Sequence, residues 1–169
     1  MKGAWIVFSL VAAARALPSP VRRLSSVMDD STIRTAVTAW LADPTAAETT
    51  YGHISTWETG QVTDMSKLFE CAHCGDTAAG ALFNDDISAW DTSGVTTMSQ
   101  MFNSASSFNR DIGNWAVHSV TDMCGMFQYA SSFNQDIGDW AVHSVTDMCG
   151  MFMYSAFNHD IGGWAVQSV

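Results

Sequence analysis

Cysteine and histidine side chains come close together at one place in the sequence. Two residues, one of which is His73, separate Cys71 from Cys74. Thiols at this spacing can pair as a disulfide in an exported protein, bind zinc, or carry out thioredoxin-like redox chemistry. Zinc needs four ligands and no second cysteine pair has matching spacing, and the redox role needs a βαβ context that is not seen. We expect a Cys71–Cys74 disulfide or two reduced thiols, and no metal site.

A second possible site is an asparagine followed two residues later by an aspartate. This pair recurs four times, as Asn84/Asp86, Asn109/Asp111, Asn134/Asp136 and Asn158/Asp160. Stacked carboxylate and amide oxygens could line a calcium-binding ladder. Asparagine also hydrogen-bonds the backbone at turns, and aspartate caps turns or is solvated. The second interpretation is favoured because the glycine-rich calcium-binding nonapeptide pattern is absent, so no cofactor is expected.

Two further cysteines and two histidines occupy equivalent positions one repeat apart, Cys124 with Cys149 and His118 with His143. A disulfide needs Cα atoms within about 7 Å, whereas packed helices lie roughly 8–10 Å apart. Both thiols are therefore expected to be free and half-buried. Neither histidine has a nucleophile at a motif-defined spacing, and no G-x-S-x-G, P-loop or G-x-G-x-x-G motif occurs. These patterns favour a protein that is not an enzyme.

All these residues lie in or beside a repeat of about 25 residues. Its copies span residues 54–86, 87–111, 112–136 and 137–160, and an incomplete copy spans 161–169. Large apolar residues recur at fixed positions and predict a repeat core of Trp57, Trp90, Trp115, Trp140, Trp164, Met98, Met123, Met148, Phe102, Phe127 and Phe152. One copy buries too little apolar surface to offset the ordering of its backbone, so stacked neighbours must supply the remaining contacts.

Hydrophobic spacing within one copy predicts its secondary structure. Met123, Met126, Phe127 and Ala130 fall at i, i+3, i+4 and i+7, which is typical of a short helix. Residues 133–137 alternate enough to favour a short strand. One strand and one short helix per ~25-residue coil predict an α/β repeat fold, a right-handed leucine-rich-repeat-like solenoid with its strands on the concave face.

The repeat resembles the BspA-like leucine-rich-repeat surface proteins, a group long classed as a domain of unknown function. The hallmark of that family is W-x-x-S-x-V-T-x-M-x-x-M-F, followed by F-N-x-D-I. The sequence contains WDTSGVTTMSQMF with FNRDI, and WAVHSVTDMCGMF twice. The resemblance covers residues 54–169. It implies a secreted or cell-surface repeat protein, and no catalytic residues come with the family.

The first 27 residues have the composition of a processed leader and a linker. Residues 1–16 combine Lys2, an apolar run of 11 residues and small residues at a cleavage point, which is typical of a secretory signal peptide. The run is shorter than the roughly 20 residues that span a membrane. Residues 17–27 hold two of the three prolines and predict an extended linker.

Residues 28–53 predict a helix and its connection to the first repeat. Ile33, Val37 and Trp40 fall on one helical face, and Asp29 is among the N-cap candidates that precede them. A helix with a polar outer face can cover the first copy of a repeat array. A membrane-surface helix is the alternative, but the basic face that such helices carry is missing.

The net charge, the residues that vary between copies and the incomplete last repeat all bear on the function. The net charge is −10, and the sequence shows no basic patch for nucleic acid. We expect a non-catalytic interaction or adhesion module that binds an unknown protein or glycan, tuned by exposed residues that change between copies, such as Arg110, Gln135 and His159. The alternative is a wall or matrix protein that assembles end to end. Val169 falls eight residues into a repeat, so we expect either a fragment of a longer protein or a last coil that docks on a partner or a second copy.

Overall fold

The computed structural model describes residues 27–71 and 79–166. The predicted signal peptide at residues 1–16 and all but the last residue of the linker at 17–27 lie outside these ranges. All helical segments in the described part precede the second repeat: α1 (Asp30–Ala42), α2 (Pro44–Tyr51), a 3₁₀ turn (Ile54–Thr56) and α3 (Ala79–Leu82). The same part contains isolated bridges and no strand. The predicted leucine-rich-repeat-like solenoid of strands and helices is therefore wrong.

Helix α1 begins after a capping aspartate, Asp29, and ends just before Pro44. The Asp29 carboxylate accepts hydrogen bonds from the N–H groups of Ser31 and Thr32 at 3.0 and 2.7 Å, which satisfies donors that lack a helical partner. The hydroxyl of Thr32 also donates to this carboxylate, and its bond, followed by the N–H bond of Thr32 and the hydroxyl bond of Ser31, lowers the pKa of Asp29 to about 2. Pro44 cannot continue the helix, and it starts α2 with Asp43 as the cap.

Helix α1 covers the first repeat. Its apolar face, which includes Trp40, is buried, and the Trp40 ring packs edge-on against Trp57 at 6.0 Å. The Asp30 carboxylate accepts bonds from the N–H groups of Thr63 and Asp64 at 2.7 and 3.0 Å. Arg34 donates to the Ser66 carbonyl at 2.7 Å and pairs with the Asp64 carboxylate at 2.9 Å. Two backbone donors within repeat 1 are therefore bonded by α1.

The segment predicted as a helix in each repeat is a series of turns. In the third copy Gly125 and Tyr129 have φ of +60° and +59°, a left-handed conformation that interrupts a right-handed helix. The Met126 N–H bonds to the Met123 carbonyl, three residues back. Alternate N–H groups leave the repeat and donate to carbonyls of the next copy at 2.8–2.9 Å: Met123 to Asp147, Gly125 to Cys149, Phe127 to Met151 and Tyr129 to Met153.

These bonds form what we call the backbone ladder, and it joins all four copies in register. Parallel bridges connect Asp64 with Thr97, Thr97 with Asp122, and Asp122 with Asp147. Backbones bonded in this way lie about 4.8 Å apart, closer than two packed helices. The helix prediction was wrong because the amide donors that a helix would use internally are used between repeats.

The strand predicted at residues 133–137 is also missing from the described structure, because no bridge forms there. Its neighbouring segments are joined instead by side chains. The Asn134 N–H donates to Oδ1 of Asn109 in the preceding copy at 2.9 Å. A strand would direct that N–H to a backbone carbonyl, and the asparagine amide has taken the place of that carbonyl.

Aromatic side chains of successive copies stack in columns in the core. Phe102, Phe127 and Phe152 lie 5.6 and 5.8 Å apart, nearly parallel, and Phe133 lies 3.9 Å from Phe127. From the second copy onward, the tryptophan of each copy donates its indole N–H to a carbonyl of the preceding copy, as Trp115 does to Ile87 at 3.2 Å. Most of the predicted core positions are buried, and three in the last copies are partly exposed: Met148, Phe152 and Trp164.

Candidate binding surface

The recurring asparagines form a polar column on the surface, which we call the asparagine column. Oδ1 of Asn84, Asn109 and Asn134 accepts the backbone N–H of the next asparagine at 2.9, 2.9 and 2.8 Å. Each side chain therefore ties one repeat to the following one. This geometry matches the interpretation of asparagine as a turn-bonding residue.

The recurring aspartates close the turns that lead from each copy to the next. Oδ1 of Asp86, Asp111, Asp136 and Asp160 accepts the N–H two residues later at 2.8–3.0 Å, the pattern of an Asx turn. The pKa of Asp86 is lowered chiefly because the hydroxyl and N–H of Ser88 donate to it, with a contribution from the charge of Arg110. In the two ranges that the structure covers, no group of three or more histidine, cysteine, aspartate or glutamate side chains is placed to hold a metal ion.

A variable position follows each asparagine, and we call these four residues the variable row: Asp85, Arg110, Gln135 and His159. Arg110 Nε donates to the Asn84 carbonyl at 2.6 Å. Gln135 Nε2 donates to the Asn109 carbonyl at 3.1 Å, and His159 Nε2 lies 3.0 Å from the Asn134 carbonyl. Three different side chains thus contact the same backbone position of the preceding copy.

Asp85 belongs to this row, although the sequence did not single it out. Its carboxylate accepts the indole N–H of Trp40 at 2.7 Å, so the row begins against α1. The signal was present in the sequence, because Asp85 lies between Asn84 and Asp86 as Arg110 lies between Asn109 and Asp111.

A groove of about 420 Å³ lies at the start of the variable row. Trp40, Leu41 and Leu82 provide apolar walls, and Asp85 and Arg110 provide one charge of each sign. An aromatic side chain with its N–H already bonded, beside two opposite charges, suits a polar ligand that also has an apolar face.

The cysteines fall in two different environments. Cys71 is buried and disulfide-bonded, but Cys74 and His73 lie outside the described residues, so the Cys71–Cys74 pairing stays a prediction. Cys124 and Cys149 are free. Cys124 is half-buried, but the half-buried prediction is wrong for Cys149, which is exposed. The reason expected for the free thiols, a helix-to-helix distance, is wrong, because the two residues are neighbours on the backbone ladder.

The described surface also carries two exposed histidines, a stacked pair of tyrosines and an apolar groove. His118 and His143 are both exposed. Tyr129 and Tyr154, which the sequence analysis did not single out, are exposed and stack at 5.0 Å. An apolar groove of about 780 Å³ lies at the last copies and is lined mainly by Met148, Met151, Phe152, Met153, Ile161, Trp164 and Val166.

The helices of the described part fall short of the length and apolar character needed to cross a bilayer. No curated protein and no solved structure matches the chain. A family described as "Mycoplasma protein of unknown function, DUF285" matches residues 75–169, more than half of the sequence. The matched residues include the asparagine column from Asn84 onward, the variable row and the last three complete copies of the repeat. The chain therefore belongs to the DUF285 family.

Proposed function

We propose that this protein is a secreted or cell-surface interaction module without catalytic activity. The variable row is the observation that carries the proposal. One side-chain position per repeat changes among an acid, a base, an amide and an imidazole, while the backbone beneath it is held by repeated contacts. A constant scaffold with one changing side chain per unit is how repeat proteins present an extended binding face.

The dimensions of the row suit an extended ligand. Four copies at about 4.8 Å place its ends roughly 15 Å apart. That length fits several sugar units or a short extended peptide. Asparagine amides run beside the row, and their N–H groups remain available to a ligand because Oδ1 makes the contacts between copies.

Export is the part of the proposal that rests on sequence. Residues 1–16 have the charge, apolar run and small residues of a signal peptide. The resemblance to the BspA-like surface proteins points in the same direction. The ligand would accordingly be an extracellular protein or a glycan.

The test is binding of the purified chain to panels of immobilised glycans and extracellular proteins. The probe that retains the chain is then tested with Arg110→Ala/Gln135→Ala/His159→Ala. A matched control is His118→Ala/His143→Ala, which removes two exposed side chains outside the row. We expect the triple variant to lose about tenfold or more in affinity and the control to bind normally. Retention by no probe, or equal binding of both variants, would overturn the proposal.

A second candidate is a structural protein that assembles through its last copies. The apolar groove of about 780 Å³ there favours it. Helix α1 covers the first repeat, so two copies would meet through their C-terminal grooves and not head to tail. Sedimentation velocity over a hundredfold concentration range tests this. Association that Val166→Asp abolishes would favour assembly, and a monomer throughout would exclude it.

A further inference from the structure

Cys124 and Cys149 are direct neighbours on the backbone ladder. A parallel bridge joins Asp122 to Asp147, two residues before each cysteine. The Gly125 N–H donates to the Cys149 carbonyl at 2.8 Å, immediately beside the pair. The two cysteines therefore occupy adjacent positions in register on the backbone ladder, and no rearrangement of the fold is needed to bring their side chains together.

The spacing of the ladder allows a covalent bond between them. Backbones joined by a ladder lie about 4.8 Å apart, inside the Cα–Cα range of about 4.4–6.8 Å that disulfides occupy. The equivalent positions in the first two copies are Ser66 and Ser99. Two thiols therefore lie side by side between the third and fourth copies, whereas the first two copies carry hydroxyl groups at this position.

We propose that Cys124 and Cys149 are an oxidation site, at which a small-molecule disulfide cross-links the third repeat to the fourth. The exposed Cys149 thiolate attacks one sulfur of the small disulfide, forms a mixed disulfide and releases the first small thiolate. The Cys124 thiolate then attacks the Cys149 sulfur, forms the Cys124–Cys149 bond and releases the second. Both cysteine protons pass to the two leaving thiolates, so two protein thiols are oxidised and one small disulfide is reduced.

The order of the two steps follows from exposure. Cys149 is exposed and Cys124 is half-buried, so the small disulfide reaches Cys149 first. Burial, followed by the contact with Cys149 and the charges of Asp147 and Asp122, raises the pKa of the Cys124 thiol. A thiol with a raised pKa supplies less of the reactive thiolate at neutral pH and therefore reacts more slowly with a reagent in solution. It still attacks a mixed disulfide that is held beside it.

The bond would stabilise the least covered part of the described array. Met148 and Phe152 in the fourth copy are partly exposed, whereas their equivalents in the third are fully buried. Cross-linking Cys124 to Cys149 closes a loop of one repeat, and such loops stabilise a fold by restricting its unfolded chain. We expect the midpoint of thermal unfolding to rise by several degrees on oxidation.

The experiment treats the full chain with oxidised glutathione and measures the intact mass. We expect the loss of two hydrogens at the Cys124–Cys149 pair, located by cleavage at Asp136 and Asp139 between the two cysteines. Cys124→Ser should instead retain one glutathione on Cys149, because the second step is blocked. Cys149→Ser is the matched variant and should react more slowly at Cys124.

Two results would overturn the proposal. In the first, the unmodified sequence retains glutathione on both cysteines without cross-linking them. In the second, the two serine variants react at the same rate and the mass loss maps to other cysteines. Far-ultraviolet circular dichroism of both variants confirms that each is folded before it is compared.

Discussion

Replacing Phe127 by alanine tests whether the repeats support one another. The Phe127 side chain has 0% exposure. Its ring lies 5.6 Å from Phe102 in the copy before, 5.8 Å from Phe152 in the copy after, and 3.9 Å from Phe133 in its own copy. Removing it leaves a cavity whose walls come from three copies, so they cannot collapse freely. A buried phenylalanine truncated to alanine costs about 3–5 kcal/mol.

Phe152→Ala is the matched control, because it makes the same change one repeat later. Phe152 contacts Phe127, Phe157 and Trp164, but its side chain is only partly buried. Less surface is withdrawn from water, and solvent can enter the space that the ring leaves. We expect roughly half the cost of Phe127→Ala, since transfer free energy scales with buried apolar area.

Urea unfolding followed by tryptophan fluorescence measures both costs. With a slope of about 2 kcal/mol per molar urea, Phe127→Ala should lower the midpoint by roughly 2 M and Phe152→Ala by about half of that. If Phe127→Ala does not fold, Phe127→Leu makes the same comparison with a smaller loss of volume. Equal midpoints for the two positions would refute the reasoning, because each repeat would then be stabilised by its own contacts alone.

Three further changes test the asparagine column, the turns and the helix cap. Asn109→Ala removes the acceptor for the Asn134 N–H and should cost about 1 kcal/mol in urea unfolding. Gly125→Ala puts a Cβ at φ +60° and 3.4 Å from Gln100, so it should cost about 1–2 kcal/mol, whereas Gly163→Ala, with nothing within 4 Å, should be nearly neutral. Acid should destabilise the fold, because the folded pKa of Asp29 is lowered from 3.8 to about 2; the stability it contributes is present above pH 3.8 and is lost as the pH falls toward 2. Urea midpoints at pH 7 and 4 should be similar and the midpoint at pH 2.5 should be lower, and a rise toward pH 2.5 would contradict the sign.

The periodicity of the sequence predicts which residues are equivalent, and it therefore predicts most of the core. It does not predict the backbone conformation between the core positions. The spacing of Met123, Met126 and Phe127 fits a helix, but turns that repeat every three or four residues place side chains with the same spacing. Gly125 was the available signal, because a glycine at the centre of the pattern permits the left-handed conformation that ends a helix.

The sequence predicts that the asparagines bond the backbone, but it does not predict which N–H group each asparagine bonds. Asparagine at a turn was expected to bond the backbone, and Asn109 bonds the N–H of Asn134. That this N–H belongs to the next copy depends on the register between repeats, which one sequence does not specify. The same register places Cys124 beside Cys149, so the distance expected from packed helices was too long for that pair.

Scalar couplings across hydrogen bonds, measured by nuclear magnetic resonance, test the backbone ladder most directly. We expect couplings from the amide nitrogen of Gly125 to the carbonyl carbon of Cys149, and from the amide nitrogen of Phe127 to the carbonyl carbon of Met151. We expect none between Phe127 and Met123, four residues earlier, where a helix would have its bond. Coupling from Phe127 to Met123, with none to Met151, would contradict the ladder and with it the variable row that the proposed function requires.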